Sequence, residues 1–164
     1  MPGAAPSPSA NVWISTSDTL FVVRPGRTRP VICSSQVWRE IAQDMAGDKP
    51  MHRILQGDVG SGKTVISALA LAKAVENGYQ GCIMVPTEIL AAQHFETLEQ
   101  YLQPYGVRIA LLTGGMRAKA RRELLLNLEL GLVDVVVGTH ALLEEDVRFA
   151  NLSLTVTDEQ HRFG

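Results

Sequence analysis

Only two of the 164 residues are cysteine, Cys33 and Cys82, and no C-x-x-C spacing joins them. That excludes a disulfide-stapled scaffold and a cysteine zinc site, and suits small buried hydrophobes in a reducing cytosol, so a cytoplasmic location is expected. The four histidines, His52, His94, His140 and His161, share no metal-ligand spacing, so zinc is not expected. Charge of one sign is lacking too: the net charge is −2 with 20% charged residues, which excludes a global basic field and leaves any nucleic-acid contact to local features. No apolar run approaches the roughly 20 residues of a membrane span, and no basic region followed by an apolar core opens the chain. Neither membrane insertion nor secretion is expected.

What is present is one domain's worth of chain, 46% hydrophobic, long enough to bury roughly 70% of its unfolded surface. Its most informative stretch is Gly57-Asp58-Val59-Gly60-Ser61-Gly62-Lys63-Thr64, which fits the phosphate-loop pattern GxxxxGK[ST] at every fixed position. A short strand, 51–56, precedes it, and an Ala- and Leu-rich helix from Val65 to Val75 follows. The glycines let the backbone bend until its N–H groups reach phosphate oxygens, and the helix start adds unpaired donors and partial positive charge. Lys63 can reach the β and γ phosphates, and the Thr64 hydroxyl can hold Mg²⁺. ATP and Mg²⁺ are the expected cofactors.

After Met1, residues 2–10 are Pro, Ala, Ser and Gly, a composition that supports no packed core and reads as disordered. The next twenty hold one possible strand, Leu20 to Val23, with no assignable role. From Ser34 the pattern turns helical: Val37, Trp38, Ile41, Ala42 and Met45 share a face, and Trp38 reads as core. After the phosphate-loop helix come a strand at 81–85, a helix from Glu88 to Leu102 capped by Thr87, a strand at 107–112 and a loop at Thr113-Gly114-Gly115. A helix from about Arg117 to Leu130, a strand at 133–137 ending in Gly138-Thr139-His140, and a strand at 152–157 complete the series. Arg117, Lys119, Arg121 and Arg122 fall at helical spacing as a solvated face.

Strands alternating with helices predict an α/β fold with a mainly parallel sheet covered on both faces. Ligands in such folds sit beyond the carboxyl ends of the strands, where the polar motifs all fall. Asp158 and Glu159 follow the last strand, as phosphoryl transfer requires: Asp158 is assigned to Mg²⁺ and Glu159 to the attacking water, with Lys63 as the third catalytic residue.

The stretches 56–64, Pro86 to His94, Val137 to Leu142 and Asp158 to Gly164 together resemble the first motor domain of the RecG-type DNA helicases of superfamily 2, over about Gln36 to Gly164. Transcription-repair coupling factors are similar but typically carry Glu where Gln160 stands. The resemblance implies a RecA-like phosphate-loop NTPase domain over 31–164, truncated after the acidic-motif strand, with 1–30 as a disordered or unassigned segment. It implies ATP-driven remodelling of branched or forked DNA, including Holliday junctions, by the full-length protein, and a second RecA-like domain as partner. Gln36 matches a glutamine that reads adenine. Pro86, Thr87, Glu88, Thr113, Gly114, Gly138, Thr139 and His140 match positions that grip the DNA backbone, and Gln160 and His161 match those that couple nucleotide state to DNA contact.

In that class the strand following the acidic motif inserts between the phosphate-loop strand and the acidic-motif strand. The sheet is therefore expected to lack a central member, and the isolated chain to be marginally stable and nearly inactive. Two other classes stay open: a phosphate-loop NTPase with a task unrelated to nucleic acid, and a truncated, non-catalytic nucleotide-binding remnant.

Overall fold

A computed structural model describes residues 19–23, 36–47, 51–55 and 63–158. In chain order they form β1 (Thr19–Val23), α1 (Gln36–Ala46), β2 (Met51–Leu55), α2 (Lys63–Glu76), β3 (Gln80–Met84), α3 (Glu88–Leu102), β4 (Ile109–Leu112), α4 (Ala118–Glu129), β5 (Val135–Gly138) and β6 (Leu152–Thr157). Two short 3-10 turns, Gln103–Tyr105 and His140–Leu143, were not foreseen. The expected disorder of residues 1–10 and the Ser34 or Ser35 cap lie outside the described residues.

The strands form one six-stranded sheet in the order β2-β1-β6-β3-β5-β4. The pairs β3–β6, β3–β5 and β4–β5 are parallel, while β1 is antiparallel to both β2 and β6. Five strands therefore run one way and β1 the other, so the sheet is mainly parallel, as expected.

One expectation is corrected here. The slot between the phosphate-loop strand and the acidic-motif strand is not missing a member, because β1 fills it, with Leu20 opposite Ile54 on one side and Thr157 on the other. The physical reason is the demand of a buried backbone for partners: two strand edges facing a gap would leave N–H and C=O groups unpaired, and an extended segment satisfies both. Alternating strand and helix patterns reveal only parallel strands joined by helices, so this role for Leu20 to Val23 went unassigned.

The core follows from strand alternation. Ile83, Val85, Val135, Val137, Leu154 and Val156 point to one face, against Trp38, Ile41 and Met45 of α1, Ala68 and Leu71 of α2, and Ala91 and Leu98 of α3. Cys82, Met84, Val136 and Leu112 point to the other, against Leu128 of α4 and the turn at Ala141 and Leu142. Every residue of β3 and β5 is buried, as expected of parallel strands covered on both sides. Each fully buried Leu or Ile, such as Leu71, Ile83 and Leu154, contributes roughly 1.5–3 kcal/mol.

Polar groups pin the connections. The Gln80 amide donates to Leu128 O (3.0 Å) and Val133 O (2.7 Å), and its carbonyl accepts from Asn151 N–H (2.9 Å), so one buried side chain joins the end of α4, the entry to β5 and the entry to β6. Gly78 and Gly131, at φ 80° and 71°, end α2 and α4 in the left-handed conformation that only glycine adopts cheaply.

Candidate nucleotide and nucleic-acid site

Because β2 to β6 share a direction, their carboxyl ends meet at one edge of the sheet. Seven residues, 56–62, connect Leu55 at the end of β2 to Lys63 at the start of α2. Gly57, Asp58, Val59, Gly60, Ser61 and Gly62 lie outside the described residues. Lys63 and Thr64 form the first turn of α2, both half-buried, and the Lys63 carbonyl accepts from Ser67 Oγ at 2.9 Å. Among the described residues no acidic side chain stands in that turn, the positive end of the helix. The helix packs against β3 and β6, and because it follows β2, which runs in the same direction as β6, it starts at the edge where β6 ends.

Asp158 follows β6 directly. Its N–H donates to Met84 O at 3.0 Å, continuing the β6–β3 ladder, and its carboxylate Oδ2 lies 2.9 Å from His94 Nε2. The two side chains are 18% and 14% exposed, so the contact is mostly withdrawn from water. Glu159, Gln160 and His161 lie outside the described residues. Gln36 begins α1 on the helix that packs against α2, exposed, with its amide donating to Glu40 Oε1 at 3.2 Å.

The sequence-predicted DNA-facing residues come together as three linked segments. Thr87 caps α3 in an extended conformation, its hydroxyl accepting from Leu90 N–H at 3.3 Å. Glu88, in the first turn where a negative charge favours the helix, accepts the Gly115 N–H at 2.9 Å and so ties this segment to the loop Thr113 to Gly115. The third segment joins through backbone: Val85 N–H donates to Gly138 O (3.0 Å) and Thr139 N–H to Leu112 O (3.4 Å). A Cβ on Gly138 would stand 2.5 Å from Leu112 O and 2.9 Å from Leu142 Cγ, so only glycine fits.

The members differ in what they offer to solvent. Thr87, Glu88, Gly114 and His140 are exposed, and Pro86 and Thr113 half-buried. Gly138 is buried and Thr139 is 2% exposed, its hydroxyl occupied in capping the turn at Ala141 (3.5 Å). At this point of the edge the outward group is His140.

Two further features bear on the sequence-based reading. Burial pushes the Cys82 thiol up to about 11, against a weaker opposing pull from the Thr155 hydroxyl, so it stays an inert buried group; Cys33 lies outside the described residues. In the basic stretch of α4, Arg121 is held by Glu144 (2.9 Å) and Asp146 (2.7 Å), whereas Arg117, Lys119 and Arg122 are solvent-exposed. Sequence reasoning missed His94 as a member of the site. Its signal was positional: Ala91 and Leu98 form the buried stripe of α3, and His94 falls three residues after the first.

A mainly parallel α/β sheet with a strand, phosphate-loop and helix succession at one end, and an acid closing β6 at the same edge, defines a RecA-like domain of the phosphate-loop NTPase class. Residues 35–164 match the sequence profile of the DEAD/DEAH box helicase family, and the chain belongs to that family. It is 54% identical over 130 residues to the ATP-dependent DNA helicase RecG of Bacillus subtilis, an alignment covering 79% of this chain and 19% of that protein. To the RecG of Haemophilus influenzae it is 46% identical over 136 residues, covering 83% and 20%. A solved structure of RecG bound to a three-way DNA junction superposes with a TM-score of 0.71 at 37% identity, covering 80% of this chain and 20% of that one. The chain thus spans about a fifth of the length of these relatives. Among the described residues no helix is long and apolar enough to cross a membrane.

Proposed function

We propose that this chain is the ATP-binding part of a DNA helicase motor that couples ATP hydrolysis to the remodelling of branched DNA, forks and Holliday junctions among it. The observation that carries this is the meeting, at one sheet edge, of Lys63 and Thr64, of Asp158, and of the three segments joined through Glu88 and Gly138.

The donor set suits a magnesium nucleotide. Thr64 offers a hydroxyl and Asp158 a carboxylate, and among the described residues no cluster of three or more His, Cys, Asp or Glu side chains forms a protein-only cage. Mg²⁺ is bound in this manner, through one or two protein oxygens with phosphates and water completing the shell. When bound, the ion neutralises phosphate charge and orients the triphosphate for in-line attack. Lys63 neutralises the outer phosphates, Thr64 and Asp158 hold the ion, Glu159 aligns the attacking water and Gln36 contacts adenine. Around them the α3 start, the loop at Thr113 and the turn at His140 hold the sugar-phosphate backbone through hydroxyl and N–H groups, a grip that reads no bases. Gln160 and His161 relay the nucleotide state to that grip. A second RecA-like domain completes the motor.

The test is Lys63→Ala in the full-length protein, with ATP turnover measured in the presence and absence of forked DNA. A loss of at least ~100-fold, on the scale expected for removing a group that neutralises transferred-phosphate charge, supports the proposal. Unchanged turnover overturns it, and turnover that is lost on substitution but indifferent to forked DNA in the unsubstituted protein moves the function to a task unrelated to nucleic acid.

A further inference from the structure

We infer that His94 is a positioning residue: it fixes the Asp158 carboxylate for the magnesium nucleotide and ties that carboxylate to the DNA-facing start of α3. The inference rests on the proposed assignment of Asp158 to Mg²⁺.

The geometry leaves the carboxylate few ways to turn. The Asp158 backbone is held by its hydrogen bond to Met84 O, so the side-chain rotation is what remains, and Oδ2 is engaged by His94 Nε2 at 2.9 Å. An ionised carboxylate only accepts, so the Nε2–H donates to Oδ2 and holds the plane of the carboxylate. Second-sphere donors of this kind orient a metal-binding group and typically change metal affinity 10- to 100-fold when removed.

His94 is also a poor choice for packing alone. It occupies the apolar stripe of α3 between Ala91 and Leu98, where a leucine would fill the same space. Its Nδ1 is buried and makes no hydrogen bond among the described residues, and a buried acceptor left so costs roughly 1–3 kcal/mol. The residue that would serve the core best is absent, and the one present reaches the acid.

The link to DNA follows from helix geometry. Seven residues of one continuous helix separate His94 from its cap Thr87, a rise of roughly 10 Å, and the intervening backbone is rigid on that scale. A displacement of Thr87 or Glu88 by a bound strand therefore reaches Asp158 through His94 without crossing a loop.

The experiment compares His94→Leu, which keeps the packing and removes the donor, with His94→Gln, whose amide N–H can replace Nε2–H, in the full-length protein. A fluorescent ATP analogue is titrated with Mg²⁺ and with chelator, and the Mg²⁺ requirement of ATP turnover is measured with and without forked DNA. His94→Leu is expected to lose most of the Mg²⁺-dependent gain in binding and to raise the half-saturating Mg²⁺ about 10-fold, while His94→Gln stays near the original values. Should His94→Leu fail to fold, His94→Asn, too short to reach Asp158, replaces it. A donor-less variant with an unchanged Mg²⁺ requirement overturns the inference, as does equal loss in both variants. If the unsubstituted protein itself binds nucleotide without regard to Mg²⁺, the assignment of Asp158 fails first and His94 with it.

Discussion

On one side of β6 the strands β3, β5 and β4 run parallel, joined by helices that return over the sheet; on the other side β1 runs against both of its neighbours and is reached from a segment upstream of the family match. The first arrangement is dictated locally, since each strand is followed by the helix that carries the chain back. The second is dictated by need: β2 and β6 both present edges, and β1 is the extended segment that closes them. The two halves therefore differ in how they are reached, one built strand by helix along the chain, the other closed by ladder bonds from a strand distant in sequence.

The largest expected effect is on the helix-joined half. Leu154 in β6 is fully buried between α2 and the sheet, and Leu154→Ala is expected to lower the unfolding free energy by about 2–5 kcal/mol, read from urea denaturation. A loss well under 1 kcal/mol would mean that this face collapses around the cavity and that packing does not hold the half together.

A proline in β1 tests the other half. Val22 stands opposite His52 on one side and Thr155 on the other, so whichever neighbour its N–H faces, Val22→Pro removes a ladder bond. A destabilisation of about 2 kcal/mol is expected, from a buried backbone acceptor left unpaired. If the substituted protein melts like the original, β1 does not hold β2 to β6, and the contrast between the halves dissolves.

The same contrast explains what was legible in the sequence. The α3 boundaries and its Thr87 cap were readable because cap, periodicity and stop signals all lie within the helix. So was the succession of buried strands from Gln80 to Thr157, and the convergence of motifs on one edge, which follows from parallel direction alone. The central place of Leu20 to Val23 was not, because strand pairing over more than a hundred residues leaves no local mark. The contact of His94 with Asp158 was hidden for a related reason: each residue reads as ordinary in its own element, and only the packing of α3 beside β6 brings them together. Gln80 shows the converse, a polar residue within an apolar run that turns out to satisfy three backbone groups.

The smallest expected effect lies at the opposite edge of the parallel half, where Arg108 donates to both Asp134 oxygens (2.9 and 2.6 Å), to Gly131 O (2.9 Å) and, through its backbone N–H, to Asp134 again (2.8 Å). Partial burial pushes the Asp134 carboxyl up, but the Arg108 hydrogen bonds and charge outweigh it and hold it below its ordinary 3.8. A carboxyl lowered on folding adds stability above its unfolded value, and that stability fades as pH falls through the lower folded value. Arg108 is half exposed, so solvent screening limits the contribution to about 1 kcal/mol. Asp134→Asn is accordingly expected to lower the unfolding free energy at pH 7 by that amount, read from urea denaturation, with the gap to the original protein closing as pH drops below 3.8. A gap of constant size from pH 7 to about pH 3 would mean that the loop before β5 is held by the hydrogen bonds that asparagine keeps rather than by charge, and that even this edge of the parallel half depends on backbone pairing, as β1 does.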